Sequence, residues 1–110
     1  MSKKPNVLII MADQLAANAL SLYGNKVCKT PNLDKLAQDG IIFENAYSNN
    51  PVCVPSRASM LSGHLSPEIA VYDNANELAS SMPTMAHYMR SLGYRTFLAG
   101  KMHFIGPDQL

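Results

Sequence analysis

The sequence predicts an α/β fold in which a largely parallel sheet is flanked by helices, because strand-like and helix-like segments alternate along its 110 residues. Its hydrophobic content of 47% and charged content of 15% are typical of a globular chain rather than a disordered one. Its length suits a single small domain. Three strands leave sheet edges that larger sheets cover, so we expect residues 1–110 to be an incomplete, N-terminal portion of a larger domain.

The first half of the chain predicts two strands with a helix between them. Residues 7–11 form a continuous apolar run, which is typical of a parallel strand covered on both faces. Thr30 suits a helix N-cap and Pro31 a first helical position, and Gly40 suits the end of that helix. Residues 41–43 are apolar again and predict a second strand that continues to residue 47.

The second half predicts two further helices and a third strand. Pro55 favours a first helical position, and Gly63 is a plausible end for that helix. A third helix is expected over about residues 84–92, since apolar side chains recur there at helical spacing. Residues 94–98 predict the last strand.

Polar side chains follow each predicted strand. Asp13 follows the first strand, Cys53 lies beyond the second, and Lys101 and His103 follow the third. Ligands of open α/β sheets bind outside the carboxyl ends of the strands. The order of the elements therefore predicts a site formed by these four residues.

Cys53 and Arg57 give that site the character of an anion site. Cys53 is expected just before a helix N-terminus, where unpaired N–H groups and the helix dipole favour negative charge. Arg57, one turn further, adds a permanent cation whose donors match tetrahedral oxyanions. The alternative interpretation is that Cys53 is a small buried hydrophobe and Arg57 a surface residue of the helix.

Charge and hydropathy exclude several classes of partner. A net charge of +1 offers no basic face for nucleic acid. The longest apolar run, residues 7–12, is too short for a membrane span or a typical signal-peptide core, so a cytoplasmic location is expected. The two cysteines, Cys28 and Cys53, form no Cys-x-x-Cys pair, and a structural zinc site is not indicated.

Three blocks of the sequence resemble the sulfatase family. Residues 53–63 are similar to its signature Cys-x-Pro-Ser-Arg followed by Leu-(Thr/Ser)-Gly, and residues 5–13 resemble its opening strand with a metal-binding Asp. Residues 93–103 resemble its second signature, Gly-Tyr-x-Thr followed by Gly-Lys-x-His. The resemblance implies the alkaline phosphatase/sulfatase-like fold and identifies residues 1–110 as the N-terminal portion of a sulfatase catalytic domain.

The resemblance also implies catalytic roles. In the family the Cys, here Cys53, is oxidised to formylglycine by a formylglycine-generating enzyme, and the hydrate of formylglycine is the nucleophile. Arg57 would hold that diol, Lys101 would contact a sulfate oxygen, and His103 would handle a proton of the diol, as imidazole can near neutral pH. The alternatives are a solvated Lys101 and a structural His103.

A divalent metal is implied in the same way. Asp13 and the Cys53 position match metal ligands of the family, but Gln14 stands where the family has a second Asp. Oxygen ligands favour calcium, with magnesium or manganese as alternatives. The remaining ligands of the family lie far downstream, so these 110 residues alone should bind metal poorly and be inactive. Asp13 could instead cap the next helix.

Within the family, residues 11–15, 72–75 and 100–110 resemble the choline sulfatases, which hydrolyse choline-O-sulfate to choline and sulfate in the bacterial cytoplasm. Asn74 matches a polar position that faces the substrate pocket in that group. Two rivals stay open. One is a phosphonate monoester or phosphodiester hydrolase of the same superfamily, and the other is a non-catalytic, truncated α/β fragment with Cys53 unmodified.

Overall fold

The computed structural model describes residues 4–103 and divides the chain into two compact units, Met1–Asn45 and Ala46–Leu110. Residues 104–110, which belong to the block compared with choline sulfatases, lie outside the described residues. No helix in the described range is long and apolar enough to cross a membrane.

The first unit holds two short 3₁₀ turns, Ala17–Ala19 and Ser21–Tyr23, and helix α1, Pro31–Asp39. The predicted helix is confirmed, and it ends at Gly40 as expected. Thr30 occupies the N-cap position but makes no side-chain cap, because its hydroxyl oxygen accepts the Ser21 backbone N–H at 3.2 Å. The helix is instead tied to the preceding turn through the Ser21 hydroxyl, which donates to Asp34 Oδ2 at 2.7 Å.

The sheet is not confirmed, because the described residues 4–103 contain no β-strand. The segments expected to be strands are present as irregular chain, and their apolar side chains are largely exposed: Leu8 83%, Ile10 84%, Ile41 84% and Phe97 84%. A strand exists only when another strand pairs with it, and the described chain offers these segments no such neighbour. Continuous apolar runs of this kind are found on strands covered on both faces, and here neither face is covered.

The second unit holds three α-helices within the described range: α2, Cys53–Ser62; α3, Ser66–Ile69; and α4, Met85–Ser91. The second and third predicted helices are confirmed as α2 and α4. Gly63 ends α2 in the left-handed region, with a φ of 76° that favours glycine. The single-turn helix α3 was not predicted from the sequence.

The prediction of where α2 begins was wrong by two residues. Cys53 is the first residue of the helix and not the residue before it, and Pro55 is therefore third and not first. The reason is that the Ser56 N–H donates to the Val52 carbonyl oxygen at 3.0 Å, which closes the first turn early. Proline is tolerated in that turn because its missing N–H would have no partner within the helix.

A small hydrophobic core holds α2 in place. It consists of Val54 and Ala58 from α2 together with Val71 and Leu78 from the chain that follows α3. All four are at most 4% exposed. The core therefore lies directly beneath the first two turns of the helix that carries Cys53.

Candidate functional site

Cys53 is half-buried at the first position of α2, and its thiol faces a cation. The Lys101 ammonium donates a hydrogen bond to the Cys53 sulfur, with Nζ and Sγ 3.7 Å apart. These residues are 48 positions apart in the sequence, so only the fold brings them together. Two of the predicted site residues thus meet as the sequence analysis expected.

Arg57 joins the same cluster through the main chain of Lys101. Its Nη1 donates to the Lys101 carbonyl oxygen at 2.6 Å, a short, charge-assisted hydrogen bond. Lys101 follows Gly100, whose φ of 96° is a conformation that residues with a Cβ rarely adopt. Arg57 and Gly100 together fix the backbone from which the Lys101 side chain reaches Cys53.

The amides at the start of α2 are almost all occupied. The Val52 N–H donates to Asn50 Oδ1 at 3.1 Å, and the Val54 N–H donates to Asn74 Oδ1 at 3.0 Å. Pro55 has no N–H to offer. Among residues 4–103, the Cys53 N–H is left without an acceptor.

This arrangement changes the expected origin of the site's positive potential. A helix N-terminus normally offers several unpaired N–H groups to an anion. Here it offers one, at Cys53. An anion at this position would be held mainly by the Arg57 and Lys101 side chains, with one amide and the helix dipole in support.

His103 lies two residues beyond Lys101 and is exposed. Its φ of 49° places it in the left-handed region, which non-glycine residues seldom occupy. The structure does not bring its imidazole into hydrogen-bond contact with Cys53, Arg57 or Lys101 within residues 4–103. The proton-handling role of His103 stays a prediction.

Asp13 lies in the first unit, in a turn that follows the apolar segment of residues 7–11. The next residue, Gln14, has a φ of 52° and so also occupies the left-handed region. Across residues 4–103, no group of three or more His, Cys, Asp or Glu side chains could hold a metal ion. The metal-binding role of Asp13 stays a prediction.

The other two histidines have structural roles. His87 Nδ1 accepts the Thr84 N–H at 3.1 Å and so caps α4. His64 Nδ1 lies 3.6 Å from a carboxylate oxygen of Glu68 on the surface. Neither residue was expected in the site.

A cleft of about 510 Å³ lies along another face of α2, between Ser56, Met60 and His64. Cys53, Arg57 and Lys101 do not line it. Its walls carry no cluster of charges, so its size alone does not make it a competing site.

Sequence reasoning missed the hydrogen bonds by which Asn50 and Asn74 occupy the amides of Val52 and Val54. The bond from Asn50 spans two residues, and the run Asn-Pro-Val before a helix is a signal that could have revealed it. The bond from Asn74 spans 20 residues. No local signal predicts it, because it depends on how the second unit packs.

Comparisons with known proteins agree on one family. The Sulfatase family model matches residues 5–108. The chain is 50% identical over 107 residues to a choline-sulfatase of Rhizobium meliloti, covering 97% of this chain and 21% of that protein. It is also 37% identical over 108 residues to an N-acetylglucosamine-6-O-sulfatase of Bacteroides thetaiotaomicron, covering 98% of this chain and 19% of the relative.

Solved structures that match this chain are also sulfatases. One, determined in complex with its substrate D-glucosamine-2-N,6-O-disulfate, matches with a TM-score of 0.91 and 38% identity, over 94% of this chain and 21% of its own. Another, of a 2-O GAG sulfatase, matches with a TM-score of 0.86 and 34% identity, over 94% of this chain and 24% of its own. The chain spans about a fifth of the length of the curated relatives it matches.

Proposed function

This chain belongs to the sulfatase family, and from that premise we propose that the protein hydrolyses sulfate esters with a nucleophile at Cys53. The strongest support is the Lys101 ammonium, which lies 3.7 Å from Cys53 Sγ, together with Arg57, which donates to the Lys101 carbonyl oxygen. A sulfate ester carries negative oxygens and gains charge as it is attacked. Positive groups fixed in advance at that point stabilise the transition state.

We propose that Cys53 is converted to formylglycine by a formylglycine-generating enzyme. The position suits the modified side chain, because it is half-buried and lies beside an ammonium and an unpaired amide. The hydrate of formylglycine would supply two hydroxyls: one would attack sulfur and displace the alcohol of the ester, and deprotonation of the other would expel sulfate and restore the aldehyde. An unmodified thiol has no second hydroxyl with which to complete the cycle.

The neighbouring side chains then take distinct roles. The Lys101 ammonium binds a sulfate oxygen and stabilises the charge that develops on it. Arg57 holds the diol. Its hydrogen bond to the Lys101 carbonyl oxygen also fixes the position of Lys101 relative to Arg57. We assign to His103 the proton of the second hydroxyl, since imidazole exchanges protons near neutral pH.

A divalent metal is part of the proposal, with calcium favoured over magnesium or manganese. Asp13 supplies the hard oxygen that such ions prefer, and Gln14 could add a weaker carbonyl oxygen. Calcium takes about six to eight oxygen ligands, and the described residues do not by themselves fit such an ion. The steps assigned above to Arg57, Lys101 and His103 therefore do not depend on it.

For the substrate we propose choline-O-sulfate, hydrolysed to choline and sulfate in the cytoplasm. The identity of 50% to a choline-sulfatase supports this choice, as do the sequence blocks around Asp13, Asn74 and Lys101. The N-acetylglucosamine-6-O-sulfatase, whose name gives a different substrate, is 37% identical to this chain. We further propose that residues 1–110 form the N-terminal portion of a sulfatase catalytic domain.

A substrate panel tests the proposal. The full-length gene product would be expressed with a formylglycine-generating enzyme, and the Cys53 peptide would be checked by mass spectrometry. Choline-O-sulfate, an aryl sulfate and a phosphonate monoester would then be compared at equal enzyme concentration. We expect repeated turnover, highest on choline-O-sulfate and absent in Cys53→Ala.

Each other outcome identifies a different error. Preference for the aryl sulfate would retain the sulfatase and reject the choline ester. Preference for the phosphonate would favour the phosphonate monoester hydrolase. A Cys53 peptide that stays unmodified, together with no turnover on any ester, would favour the non-catalytic alternative.

A further inference from the structure

The loop of residues 71–78 is anchored at both ends in the core beneath Cys53. Val71 is fully buried and Leu78 is 4% exposed, and both pack with Val54 and Ala58 of α2. The loop cannot shift relative to the helix without disturbing that packing. Its tip is therefore held at a fixed distance from the start of α2.

Hydrogen bonds within the loop fix the tip itself. Asn76 Oδ1 accepts the N–H groups of Tyr72 at 2.7 Å and Asp73 at 3.1 Å. Asp73 Oδ1 accepts the Ala75 N–H at 2.9 Å. The backbone is thus held on both sides of Asn74, the residue at the tip.

Asn74 uses this fixed position to hold the first turn of α2. Its Oδ1 accepts the Val54 N–H at 3.0 Å. The donor identifies the oxygen end of the amide, because an NH₂ group could not accept this bond. Val54 is bonded directly to Cys53, so this contact fixes the peptide plane on which the nucleophile is carried.

We infer that Asn74 is a positioning residue for Cys53, acting through the Val54 amide. The inference deepens the proposed function and rests on it. The Asn74 oxygen sets the orientation of the first turn, and it leaves the neighbouring Cys53 N–H available to the anion. The residue thus supports the nucleophile from beneath while Lys101 faces the thiol.

Three variants of the full-length gene product, expressed with a formylglycine-generating enzyme, test the inference. Asn74→Ala removes the acceptor, and Asn74→Asp retains it. Asn25→Ala is the matched control. Asn25 Oδ1 also accepts backbone N–H groups, those of Val27 and Cys28, but the residue belongs to the first unit. Activities are divided by the fraction of formylglycine measured in each preparation.

We expect Asn74→Ala to lower kcat by about 10- to 100-fold, because a small misplacement of a reacting group costs that much, while KM changes less than about twofold. Asn74→Asp should recover most of kcat, and Asn25→Ala should match the wild type. Hydrogen exchange of the Val54 amide should be faster in Asn74→Ala than in either other variant. This last readout requires no turnover.

The contrary outcomes are distinct. A raised KM with unchanged kcat would make Asn74 a substrate contact and overturn the inference, as would unchanged exchange at Val54. An equal loss of kcat in Asn25→Ala would reduce the effect to general stability and also overturn it. A wild type without sulfatase turnover would refute the proposed function, and Val54 exchange would then decide the Asn74 contact separately.

Discussion

The two compact units differ in how well they support their candidate site residues. In the second unit, Cys53 begins a helix whose next residue, Val54, is 2% exposed and packs into a core. In the first unit, no residue from 4 to 45 is buried, and the segment leading to Asp13 exposes Leu8 by 83% and Ile10 by 84%. The proposed nucleophile therefore lies beside a buried core, whereas the proposed metal ligand Asp13 lies in a segment without buried residues among residues 4–45.

The comparison shows that the candidate site residues come from two separate parts of the sequence. The proposed nucleophile, the ammonium that contacts it and the proposed positioning residue are residues 53, 101 and 74, all within the second unit. A calcium-type site needs many oxygens around one point, and these cannot come from a single exposed turn. We therefore expect changes near Cys53 to act locally and changes near Asp13 to depend on residues beyond the described range.

The largest expected effect is complete loss of turnover in Cys53→Ala of the full-length gene product, because the variant has no precursor for the nucleophile. Ala at a half-buried first helical position should leave the fold intact. Steady-state assays and circular dichroism check the two statements. Residual turnover above a few per cent would show that the nucleophile is a residue other than Cys53.

A test of the first unit is the activity of the 110-residue chain alone. Even with Cys53 converted and calcium or magnesium in excess, we expect no repeated turnover of choline-O-sulfate, because residues 4–103 assemble no group of metal ligands. The full-length gene product under the same conditions is the positive control. Turnover by the short chain that a chelator abolishes would show that residues 1–110 suffice for metal-dependent activity.

Replacing Lys101 or His103 by Ala in the full-length gene product should lower turnover by about 10²–10³, the usual effect of losing one positioned electrostatic donor. The matched controls are Lys29→Ala and His64→Ala, which alter exposed side chains outside the cluster. Thermal unfolding should change little in all four variants. Near-normal turnover in Lys101→Ala would show that the contact between Lys101 and Cys53 has no catalytic role.

The smallest expected effects concern stability and compare the units directly. In the 110-residue chain, Leu78→Ala should lower the free energy of unfolding by about 2–5 kcal/mol, because it leaves a cavity in the core. Ile10→Ala should change it by less than about 0.5 kcal/mol, since the side chain is exposed. Urea titrations followed by circular dichroism measure both. Equal losses would show that the first unit has a core of its own.

The helices could be predicted because short-range sequence signals mark where they begin and end. Proline at the start of α1, glycine after α2 and Thr84 before α4 act within one turn of the chain. The sheet was not confirmed because strand pairing is a long-range interaction, and an apolar run signals only a surface to be covered.

For the site, too, the features that depend on short motifs were predicted and the long-range contact was not. Cys53, Arg57 and Lys101 were found through short motifs, and the structure brings them together. The Asn74 contact with the Val54 amide was not found, although Asn74 itself was singled out as a substrate residue. A side chain that holds a backbone amide 20 residues away leaves no pattern in the sequence.

The contacts at Cys53 also suggest an order of assembly. The Asn74–Val54 contact closes a loop of 20 residues, whereas the Lys101–Cys53 contact closes one of 48. With a closure cost that grows as 3/2 RT ln n, the longer loop costs about 0.8 kcal/mol more. We expect the helix start to be fixed first on the folding pathway and the ammonium to arrive later. During that interval the thiol would be held in place but still open to reagents from solution.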